Sequence, residues 1–505
     1  MMKILTCDQI REVDQYTIQH EPISSVDLME RASQACFDWF KQHFDTSVKI
    51  KVFVGPGNNG GDGLAIARML AREGFKVAVY MLFGAERLSS DALANYNRLA
   101  QIDNVDITII DNSRLPVISE DDVVIDAMFG SGLSRKLEGP VARLVNHINQ
   151  AMATIVAIDI PSGLFGEENT FNPTTAIIQA DYTLTFQMPK LSFFFAENDK
   201  YLGVPVVLDI HLSPEGIDKQ SSNYAFATPL QMQQMLKTRP RFSHKGTYGH
   251  ALLLAGSYGK IGAGVLSSRA CLRSGVGLLT FHVPKIGYGI VQSSVPETMI
   301  SVDEDEWLIT QCPNTDKYSA IGIGPGIGTS KETAEALYKV IKEAHIPLVL
   351  DADALNILAL YPDWIRKLPA NTILTPHPRE FDRMAGASSS GYERHLKQIE
   401  FSRVYQVVVV LKGAYTSITS PDGRCWFNST GNPGMATGGS GDVLTGIILS
   451  LLAQGYEPYD AARLGVYVHG LSGDIALAES SEEALIASDI INHLGLAFKK
   501  IKNLT

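Results

Sequence analysis

Cysteine is scarce in this chain of 505 residues, which contains five. An odd number of scattered cysteines without metal spacing predicts neither a disulfide framework nor a zinc site. Long apolar runs are also missing, since the longest, such as 407–411, are strand-length and too short to span a bilayer. The first residues lack the apolar core of a signal peptide. We therefore expect a cytoplasmic protein with no membrane partner and five reduced core cysteines: Cys7, Cys36, Cys271, Cys312 and Cys425.

An excess of positive charge is absent as well, because 54 acidic and 43 basic residues give a net charge of −11. This balance argues against nucleic acid or an anionic membrane as the main partner. A Walker phosphate loop is missing too, since the one Gly-Lys pair, Gly259-Lys260, is followed by Ile261 and not by Ser or Thr. The remaining composition, 45% hydrophobic and 19% charged, is typical of a soluble globular enzyme.

The length predicts at least two domains, because one ordinary core does not grow to 505 residues. After a helical pattern over 8–43, short apolar strands alternate with helices, and the polar segment 213–223 interrupts this alternation as an expected linker. We predict domains over 1–219 and 227–505. The alternation indicates an α/β fold with helices on both faces of parallel sheets. The expected strands are 51–54, 76–82, 105–110, 122–126, 154–158 and 182–186, and, in the second domain, near 251–255, 277–283, 319–323, 347–351, 371–375 and 407–411.

The most informative stretch is the glycine-rich segment 431–441, in which Gly438-Gly439-Ser440-Gly441 leads through Asp442 into an apolar segment, 443–449, that predicts a helix. Glycines let an anion approach backbone N–H groups, and a helix N-terminus adds partial positive charge. Asp442 would then lie beside a bound phosphate, where a base could deprotonate a hydroxyl for phosphoryl transfer. The alternative is an ordinary loop with Asp442 as N-cap. Five glycines in eleven residues make that alternative the weaker one.

A second glycine-rich stretch, Gly55 to Gly63, follows a strand and precedes a predicted helix over 64–73. It contains G-x-G-x-x-G, a pattern found in nicotinamide-dependent dehydrogenases. The acidic residue that should end the next strand is missing, because that strand ends in Phe83-Gly84. A phosphate-binding loop at a helix N-terminus is the interpretation that remains.

Polar side chains also follow two later strands, at Asp126 and at Asp159 to Ser162. The carboxyl ends of strands converge on one crevice in a doubly wound fold. Oxygen atoms of Asn59, Asp126 and Ser162 could meet there and hold a hard cation. The alternative makes the two aspartates helix caps and Asn59 a turn residue. Three strand ends with the same chemistry favour a site.

The second half, from about 227 to 505, resembles ribokinase-like enzymes, and within them the ADP- or ATP-dependent NAD(P)H-hydrate dehydratases. The glycine-rich stretch at Asp442 carries this resemblance, together with segments in the family's order: 244–249, 251–257, 262–264, 322–328, 351–356, 375–381 and 411–416. The resemblance implies a ribokinase-like α/β sandwich in which Asp442 is the catalytic base. It implies substrate contacts from Ala263, Gly264, Gly326, His377 and Asp442, and nucleotide contacts from Lys412, Gly413, Ala414, Tyr415, Thr416 and Gly441. His377, between two prolines, could instead serve only a turn.

The first half resembles the NAD(P)H-hydrate epimerases, through 58–63, 126–130 and 159–163. The resemblance implies a Rossmann-like doubly wound sheet and a potassium ion held by Asn59, Asp126 and Ser162. Lys190 stands where the family usually has a lysine, whereas Ser33 and Phe165 depart from the usual Gly and Asp. The implied substrate contacts are Asn58, Asn59, Gly60, Gly61, Asp62, Gly130, Ser131, Gly132, Leu133, Ser134, Arg135, Lys136 and Asp159.

Together the two resemblances imply a repair enzyme for hydrated NADH and NADPH. Asp159 would move the proton while the R and S hydrates interconvert, and Asp442 would start the ADP-dependent dehydration of the S epimer, giving AMP and phosphate. Potassium, and Mg²⁺ with ADP or ATP, are the implied cofactors, and a homo-oligomer is expected. A sugar or vitamin kinase with a binding-only first domain is the alternative. The sequence does not decide whether ADP or ATP is the phosphate donor, although the resemblance to fused bacterial enzymes favours ADP.

Overall fold

The computed structural model describes residues 2–111, 114–172 and 176–504. The chain divides into two compact units. The N-terminal unit comprises Lys3–Ser222 with Ser390–Tyr392, and the C-terminal unit is formed mainly by Asn223–Ser389 and the chain from Glu393 onward. The expected linker over 213–223 is largely helical. Ser213 caps a short helix over Pro214–Lys219, whose six residues are too few to show a helical period in the sequence.

The N-terminal unit alternates strands with helices after two initial helices. Its helices are α1 (Cys7–His20), α2 (Ser25–His43), α3 (Asn58–Arg72), α4 (Ser90–Leu99), α5 (Gly139–Gln150), α6 (Asp199–Leu202) and α7 (Pro214–Lys219). A two-residue strand, β1 (Met2–Lys3), precedes them in the chain but belongs to the larger sheet. The sheet of this unit is built from β2 (Lys49–Val54), β3 (Lys76–Met81), β4 (Asp106–Ile109), β5 (Asp122–Ala127), β6 (Thr154–Ile158), β7 (Tyr182–Phe186) and β8 (Val204–Leu208).

These strands form a parallel sheet in the order β4-β3-β2-β5-β6-β7-β8. Successive residues of β5 enter opposite cores, because Val123 and Ile125 pack on one face and Val124 on the other. Strand order reverses between β2 and β5, and ligands bind at such a switch point in doubly wound sheets. The predicted fold class is confirmed for this unit, and the predicted strands are present within two residues; β8 is an additional edge strand.

The C-terminal unit contains a larger sheet. Its strands are β9 (Tyr224–Phe226), β10 (His250–Leu254), β11 (Leu278–Val283), β12 (Met299–Val302), β13 (Ala320–Ile323), β14 (Leu348–Leu350), β15 (Ile373–Leu374), β16 (Val408–Leu411), β17 (Ser417–Thr419) and β18 (Cys425–Phe427). Its helices are α8 (Pro229–Met235), α9 (Ile261–Arg273), α10 (Tyr288–Ser294), α11 (Lys331–Glu343), α12 (Asp353–Leu360), α13 (Pro378–Ala385), α14 (Gly391–Tyr405), α15 (Ser440–Ala453), α16 (Pro458–Leu477) and α17 (Ala487–Lys502).

The central strands run parallel in the order β16-β15-β14-β13-β10-β11-β12, and their order reverses between β10 and β13. Both faces are covered by helices: Leu253 packs on one core and Leu252 on the other. The sheet is not parallel throughout, because β17 pairs antiparallel with both β16 and β18. Three-residue strands such as β17 and β18 are too short to give a readable alternation.

The five cysteines are unpaired, and all but Cys312 are buried, which agrees with the expectation of reduced core residues. Across the part of the chain that the structure describes, no helix is long and apolar enough to cross a membrane.

Candidate active sites

The glycine-rich turn of the N-terminal unit is tighter than predicted. Helix α3 begins at Asn58 and not at Leu64, so Asn58 to Asp62 form its first turn instead of an open loop. The glycines permit close packing: a Cβ on Gly60 would lie 2.0 Å from the carbonyl oxygen of Gly55. Gly61 packs against the sulfur of Met29. Asn58 Oδ1 accepts a hydrogen bond from Ser89 Oγ at 2.9 Å.

The three predicted cation ligands border one short backbone segment, 128–130. Asp126 is fully buried, and its Oδ1 and Oδ2 accept hydrogen bonds from Ser162 Oγ (2.6 Å) and Ser162 N (2.7 Å). Ser162 Oγ accepts a hydrogen bond from the backbone N–H of Phe129 at 2.8 Å. Asn59 lies against Gly130, whose added Cβ would be 3.2 Å from Asn59 Cγ. Burial raises the pKa of Asp126 to about 6, although the hydrogen bonds from Ser162 act to lower it.

Asn59 carries the feature that best fits a bound cation. Its side chain is buried, and among the described residues neither its oxygen nor its nitrogen has a hydrogen-bond partner. A buried polar atom without a partner costs about 1–3 kcal/mol. A cation coordinated by Asn59 Oδ1 would remove that penalty for the oxygen. Among the described residues no cluster of three His, Cys, Asp or Glu side chains could hold a metal, so this candidate depends on mixed oxygen ligands.

Asp159 is held in place by a buried lysine. Lys190 Nζ lies 2.8 Å from Asp159 Oδ1, and the backbone N–H of Ser131 donates to Oδ2 at 3.1 Å. Lys190 is 1% exposed and also donates to Thr185 Oγ1 at 3.0 Å. Burial acts to raise the pKa of Asp159, but the Lys190 charge and these hydrogen bonds outweigh it, so the pKa is below its usual value. Asp159 has a positive φ of 66°, a strained conformation often found at functional sites.

Two further carboxylates lie within the electrostatic reach of Asp159. Burial, followed by the charge of Asp159, raises the pKa of Asp14 to about 7. The same two causes raise the pKa of Asp62 well above its usual value, and Ser33 Oγ lies 3.5 Å from Asp62 Oδ1. The sequence offered no sign of Asp14, which lies in an amphipathic helix far upstream of the recognised motifs. It joins the site because the packing of α1 brings its carboxylate close enough to Asp159 and Lys190 for their charges to act on it.

The predicted contact segment 130–136 is divided by the structure. Gly130 and Ser131 lie in the site, against Asn59 and Asp159. Further along, the chain is more exposed, and Lys136 pairs with Glu138 at 2.9 Å. The substrate contacts expected from the outer residues of this segment rest on the resemblance alone. These residues are Gly132, Leu133, Ser134, Arg135 and Lys136.

In the C-terminal unit Asp442 lies in the first turn of α15, which begins at Ser440 and not at Val443. Gly439 precedes the helix with a φ of 91°, a conformation that favours glycine. No side chain among the described residues caps this helix start. The N–H of Ser440 donates to the carbonyl of Thr437 at 3.4 Å, which leaves the N–H groups of Gly441 and Asp442 available to an anion. Burial raises the pKa of Asp442 to about 7, and the negative charge of Asp351 adds to this effect. The positive charge of Lys412 acts in the opposite direction.

Asp442 lies beside an ion pair that the sequence did not predict, between Lys412, whose side chain is 23% exposed, and the buried Asp351. Lys412 Nζ lies 2.9 Å from Asp351 Oδ1, and Thr445 Oγ1 donates to Asp351 Oδ2 at 2.7 Å. A Cβ on Gly441 would be 3.4 Å from Lys412 Nζ, so glycine keeps this face open beside the ammonium group. Burial alone would lower the pKa of Lys412, but Asp351 and Glu380 hold it above its usual value. A fixed cation therefore stands at the N-terminus of α15.

The predicted nucleotide segment Lys412–Thr416 forms the turn between β16 and β17. Thr416 Oγ1 donates to the carbonyl of Gly413 at 3.0 Å, which closes the turn. Gly413 and Ala414 are exposed at its tip, and Tyr415 is half-buried. The segment thus begins at the ammonium group beside Gly441 and continues to an exposed tip.

The predicted substrate residues Ala263 and Gly326 meet at the β10–β13 switch point. A Cβ on Gly326 would be 3.3 Å from the Cβ of Ala263, and Ser257 Oγ donates to the carbonyl of Gly326 at 2.7 Å. Lys260 lies against Gly326 and pairs with Asp353 at 3.3 Å. Gly264, the neighbouring predicted contact on α9, is buried, and an added Cβ would be 2.1 Å from the ring of Phe281, so the packing here requires glycine.

His377 caps α13 and also borders the site. Its Nδ1 accepts hydrogen bonds from the backbone N–H groups of Arg379 (3.1 Å) and Glu380 (3.3 Å). The Glu380 carboxylate in turn lies 4.0 Å from Lys412 Nζ. His377 therefore has the structural role that the sequence left open, because it caps α13. This position also brings its ring close to the ion pair of Lys412 and Asp351.

Comparisons with known proteins agree with this division. A family model described as NAD(P)H-hydrate dehydratase matches residues 251–494, and the model of the YjeF-related protein N-terminus matches 25–192. The chain is 34% identical to the bifunctional NAD(P)H-hydrate repair enzyme Nnr of Moorella thermoacetica, over 99% of this chain and 97% of that protein. It is 35% identical to the enzyme of the same name from Coxiella burnetii, over 96% and 97% of the two chains.

Among solved structures, the chain is similar to a ribokinase-like superfamily protein from Enterococcus faecalis. The identity is 26% and the TM-score 0.50, over 56% of this chain and 99% of that one. This likeness confirms the ribokinase-like fold predicted for the second half.

Proposed function

The chain belongs to the family of bifunctional NAD(P)H-hydrate repair enzymes, and from that membership we propose how its two units divide the reaction. The enzyme interconverts the R and S hydrates of NADH and NADPH, and it dehydrates the S epimer with ADP to regenerate the reduced cofactor, AMP and phosphate. We assign epimerisation to 1–219 and dehydration to 227–505. The observation that supports this division is the different setting of the two central aspartates: Asp159 is held by a buried lysine and a backbone amide, whereas Asp442 lies at an uncapped helix start beside the Lys412 ammonium group. Their pKa shifts, below the usual value for Asp159 and above it for Asp442, agree with this difference.

In the N-terminal unit, a carboxylate that stays ionised suits a reaction through a cation. The hydrate carries its hydroxyl on the carbon next to the ring nitrogen. Breaking that C–O bond with a proton gives water and an iminium, and water added to the other face gives the other epimer. Asp159, fixed by Lys190 and the Ser131 amide, would stabilise the iminium. It would pass a proton from solvent to the departing hydroxyl, and from the entering water back to solvent.

In the C-terminal unit, a carboxylate with a pKa near 7 suits a general base. Asp442 would take the proton of the substrate hydroxyl, whose oxygen then attacks the β-phosphorus of ADP and releases AMP. The N–H groups at the start of α15 and the Lys412 ammonium would stabilise the phosphoryl group during transfer. Phosphate then leaves with the C–O bonding pair, the ring nitrogen supplies electrons, and loss of a proton from the adjacent carbon restores the double bond.

Two cofactors complete the proposal. Potassium would be held by Asn59, Asp126 and Ser162, whose oxygen atoms are ligands that hard cations accept. It would anchor the substrate's pyrophosphate beside Asp159. Mg²⁺ would enter with the phosphates of the nucleotide, as it commonly does. Substrate contacts are proposed for 58–62, 130–136, Asp159, Ala263, Gly264, Gly326, His377 and Asp442. Within 130–136, the positions of Gly130 and Ser131 against Asn59 and Asp159 support the proposal, whereas the outer residues rest on the resemblance.

The raised pKa of Asp442 predicts the pH dependence of dehydration. The base must be ionised to accept a proton, so activity is present above its pKa of about 7 and is lost as the pH falls below it. We expect kcat/KM for the S hydrate to fall about tenfold per pH unit below that value. In epimerisation the corresponding carboxylate, Asp159, has a lowered pKa, so its own ionisation should not produce this inflection. A flat dehydration profile from about pH 8 to about pH 5 would contradict the assignment of the base.

The unpaired side chain of Asn59 predicts a potassium phenotype. Asn59→Ala should raise the potassium concentration needed for half-maximal epimerisation at least about tenfold, because one ligand is lost. Dehydration of the S epimer should be unchanged. Asn95→Ala is the matched control, since Asn95 is also buried in this unit with an unpaired amide oxygen. If both variants shift the potassium dependence equally, the effect is structural and the proposed ligand set is wrong.

A further inference from the structure

Two aromatic side chains stand exposed beside the dehydratase site. Tyr258 is 67% and Trp307 47% exposed, although apolar rings of this size normally gain stability from burial. Their rings meet edge to face, with centroids 4.7 Å apart. The backbone N–H of Tyr258 donates to the carbonyl of Trp307 at 3.0 Å, which joins the two loops. The pair therefore forms a small, fixed aromatic surface that remains open to solvent.

The loop that carries Trp307 is held by a buried carboxylate. Asp303 is paired with His282 at 3.0 Å, and both are buried. The Asp303 carboxylate also accepts hydrogen bonds from the backbone N–H groups of Asp305, Thr310 and Gln311. Asp305 Oδ1 in turn accepts a hydrogen bond from Trp307 N at 2.7 Å. The exposed ring is thus preorganised, an arrangement that lowers the entropy cost of binding a ligand.

The position of the pair relates it to the substrate. Tyr258 follows β10, where Gly256 N donates to the carbonyl of Pro325 and Ser257 Oγ donates to that of Gly326. The nucleotide segment lies on the opposite side, after β16, and Asp442 lies on α15, which packs against the strands between them. Across the carboxyl edge the order is therefore nucleotide segment, Asp442, the face at Gly326, and the aromatic pair.

We infer that Tyr258 and Trp307 form the subsite for the adenine of the hydrated dinucleotide. The inference rests on the proposed function, which places the reacting ring at Asp442 and ADP at Lys412–Thr416. The adenosine half of the substrate then extends past Gly326 toward β10. Aromatic side chains bind bases by stacking without needing a particular hydrogen-bond pattern. The subsite would hold the part of the substrate that does not react.

The test uses a substrate that lacks the adenylate. The full chain with Trp307→Ala or Tyr258→Ala is assayed with the S hydrate of NADH and with the hydrate of reduced nicotinamide mononucleotide. Loss of one stacking face should raise KM for the dinucleotide about tenfold. The KM for the mononucleotide hydrate and the KM for ADP should not change. Equal effects on both hydrates, or no effect on either, would overturn the inference.

Two controls separate stacking from folding. Trp307→Phe keeps an aromatic face and should restore most of the affinity. Tyr361→Ala removes an exposed tyrosine of the same unit, one that stacks on Trp364, and should leave KM unchanged. A change in oligomer size by light scattering with unaltered KM would instead make the pair an interface between copies.

The inference can be judged even if the proposed function fails. Should the wild-type chain recover no NADH from its hydrate, calorimetric titration with NADH and with ADP still tests the subsite. Weaker binding of NADH alone by Trp307→Ala supports it, and equal NADH affinity in both proteins overturns it.

Discussion

Replacing Asp442 by Asn is expected to reduce dehydration of the S hydrate by about 10²–10⁴-fold, the usual contribution of a general base. The amide keeps the shape of the side chain but cannot accept the proton of the substrate hydroxyl. ADP affinity should change little, because Lys412 and the N–H groups at the start of α15 remain. The measurement is steady-state recovery of NADH absorbance, with ADP binding followed by calorimetry. Epimerisation in the same protein should be normal.

Asp474→Asn provides the control for Asp442→Asn. Asp474 accepts hydrogen bonds from Gly431 N and Asn432 Nδ2, both at 3.0 Å, so it supports the same glycine-rich segment without facing the phosphoryl group. A structural effect would be shared by the two variants, whereas loss of the base is confined to Asp442. Near-normal dehydration in folded Asp442→Asn would contradict the mechanism and leave only an anion-binding role for the motif.

The second large effect concerns the Asp159–Lys190 pair. Asp159→Asn should reduce epimerisation by about 10²–10⁴-fold, because the group that exchanges the proton and stabilises the iminium is lost. Dehydration of purified S hydrate should be unaffected. The assay follows interconversion of the purified epimers by chromatography, without nucleotide.

Lys190→Met tests the same pair through its charge. Without the ammonium group, burial raises the pKa of Asp159, so epimerisation should require a higher pH than in the wild type. Breaking a buried pair typically costs about 3–5 kcal/mol of stability, so thermal unfolding is measured in parallel. Unchanged epimerisation by folded Asp159→Asn would remove this residue from the mechanism.

The sequence predicted the strands of both sheets well where they are buried and parallel. It also singled out Asp126, at the carboxyl end of β5, because strand order places such ends together, and Asp442, because a glycine-rich stretch leads into the helix that begins beside it. It failed where local signals are short. The turn at Asn58 is helical because glycines 60, 61 and 63 allow α3 to pack closely from its first residue. The antiparallel strands β17 and β18 are too short to be recognised.

Partners that come from distant segments could not be predicted from one sequence. Asp14 reaches the charge of Asp159 only through the packing of α1, and Asp351 meets Lys412 and Thr445 only across the sheet. Asp14 lies in a segment whose spacing indicates only a helix. Asp351 begins one of the segments that carry the resemblance, but the sequence gives no indication of which cation it pairs with. Their pKa effects arise from burial and proximity, which depend on the folded chain.

The most direct test of the account is the total NADH recovered from an equal mixture of R and S hydrates with ADP, Mg²⁺ and potassium. The wild-type chain should recover all of it. The Asp159→Asn variant should recover NADH only from the S fraction. The Asp442→Asn variant should recover almost no NADH until Asp159→Asn protein is added. A stable phosphorylated product without recovery of NADH, or complete recovery by Asp159→Asn as fast as by the wild type, would contradict the division of the two reactions between these aspartates.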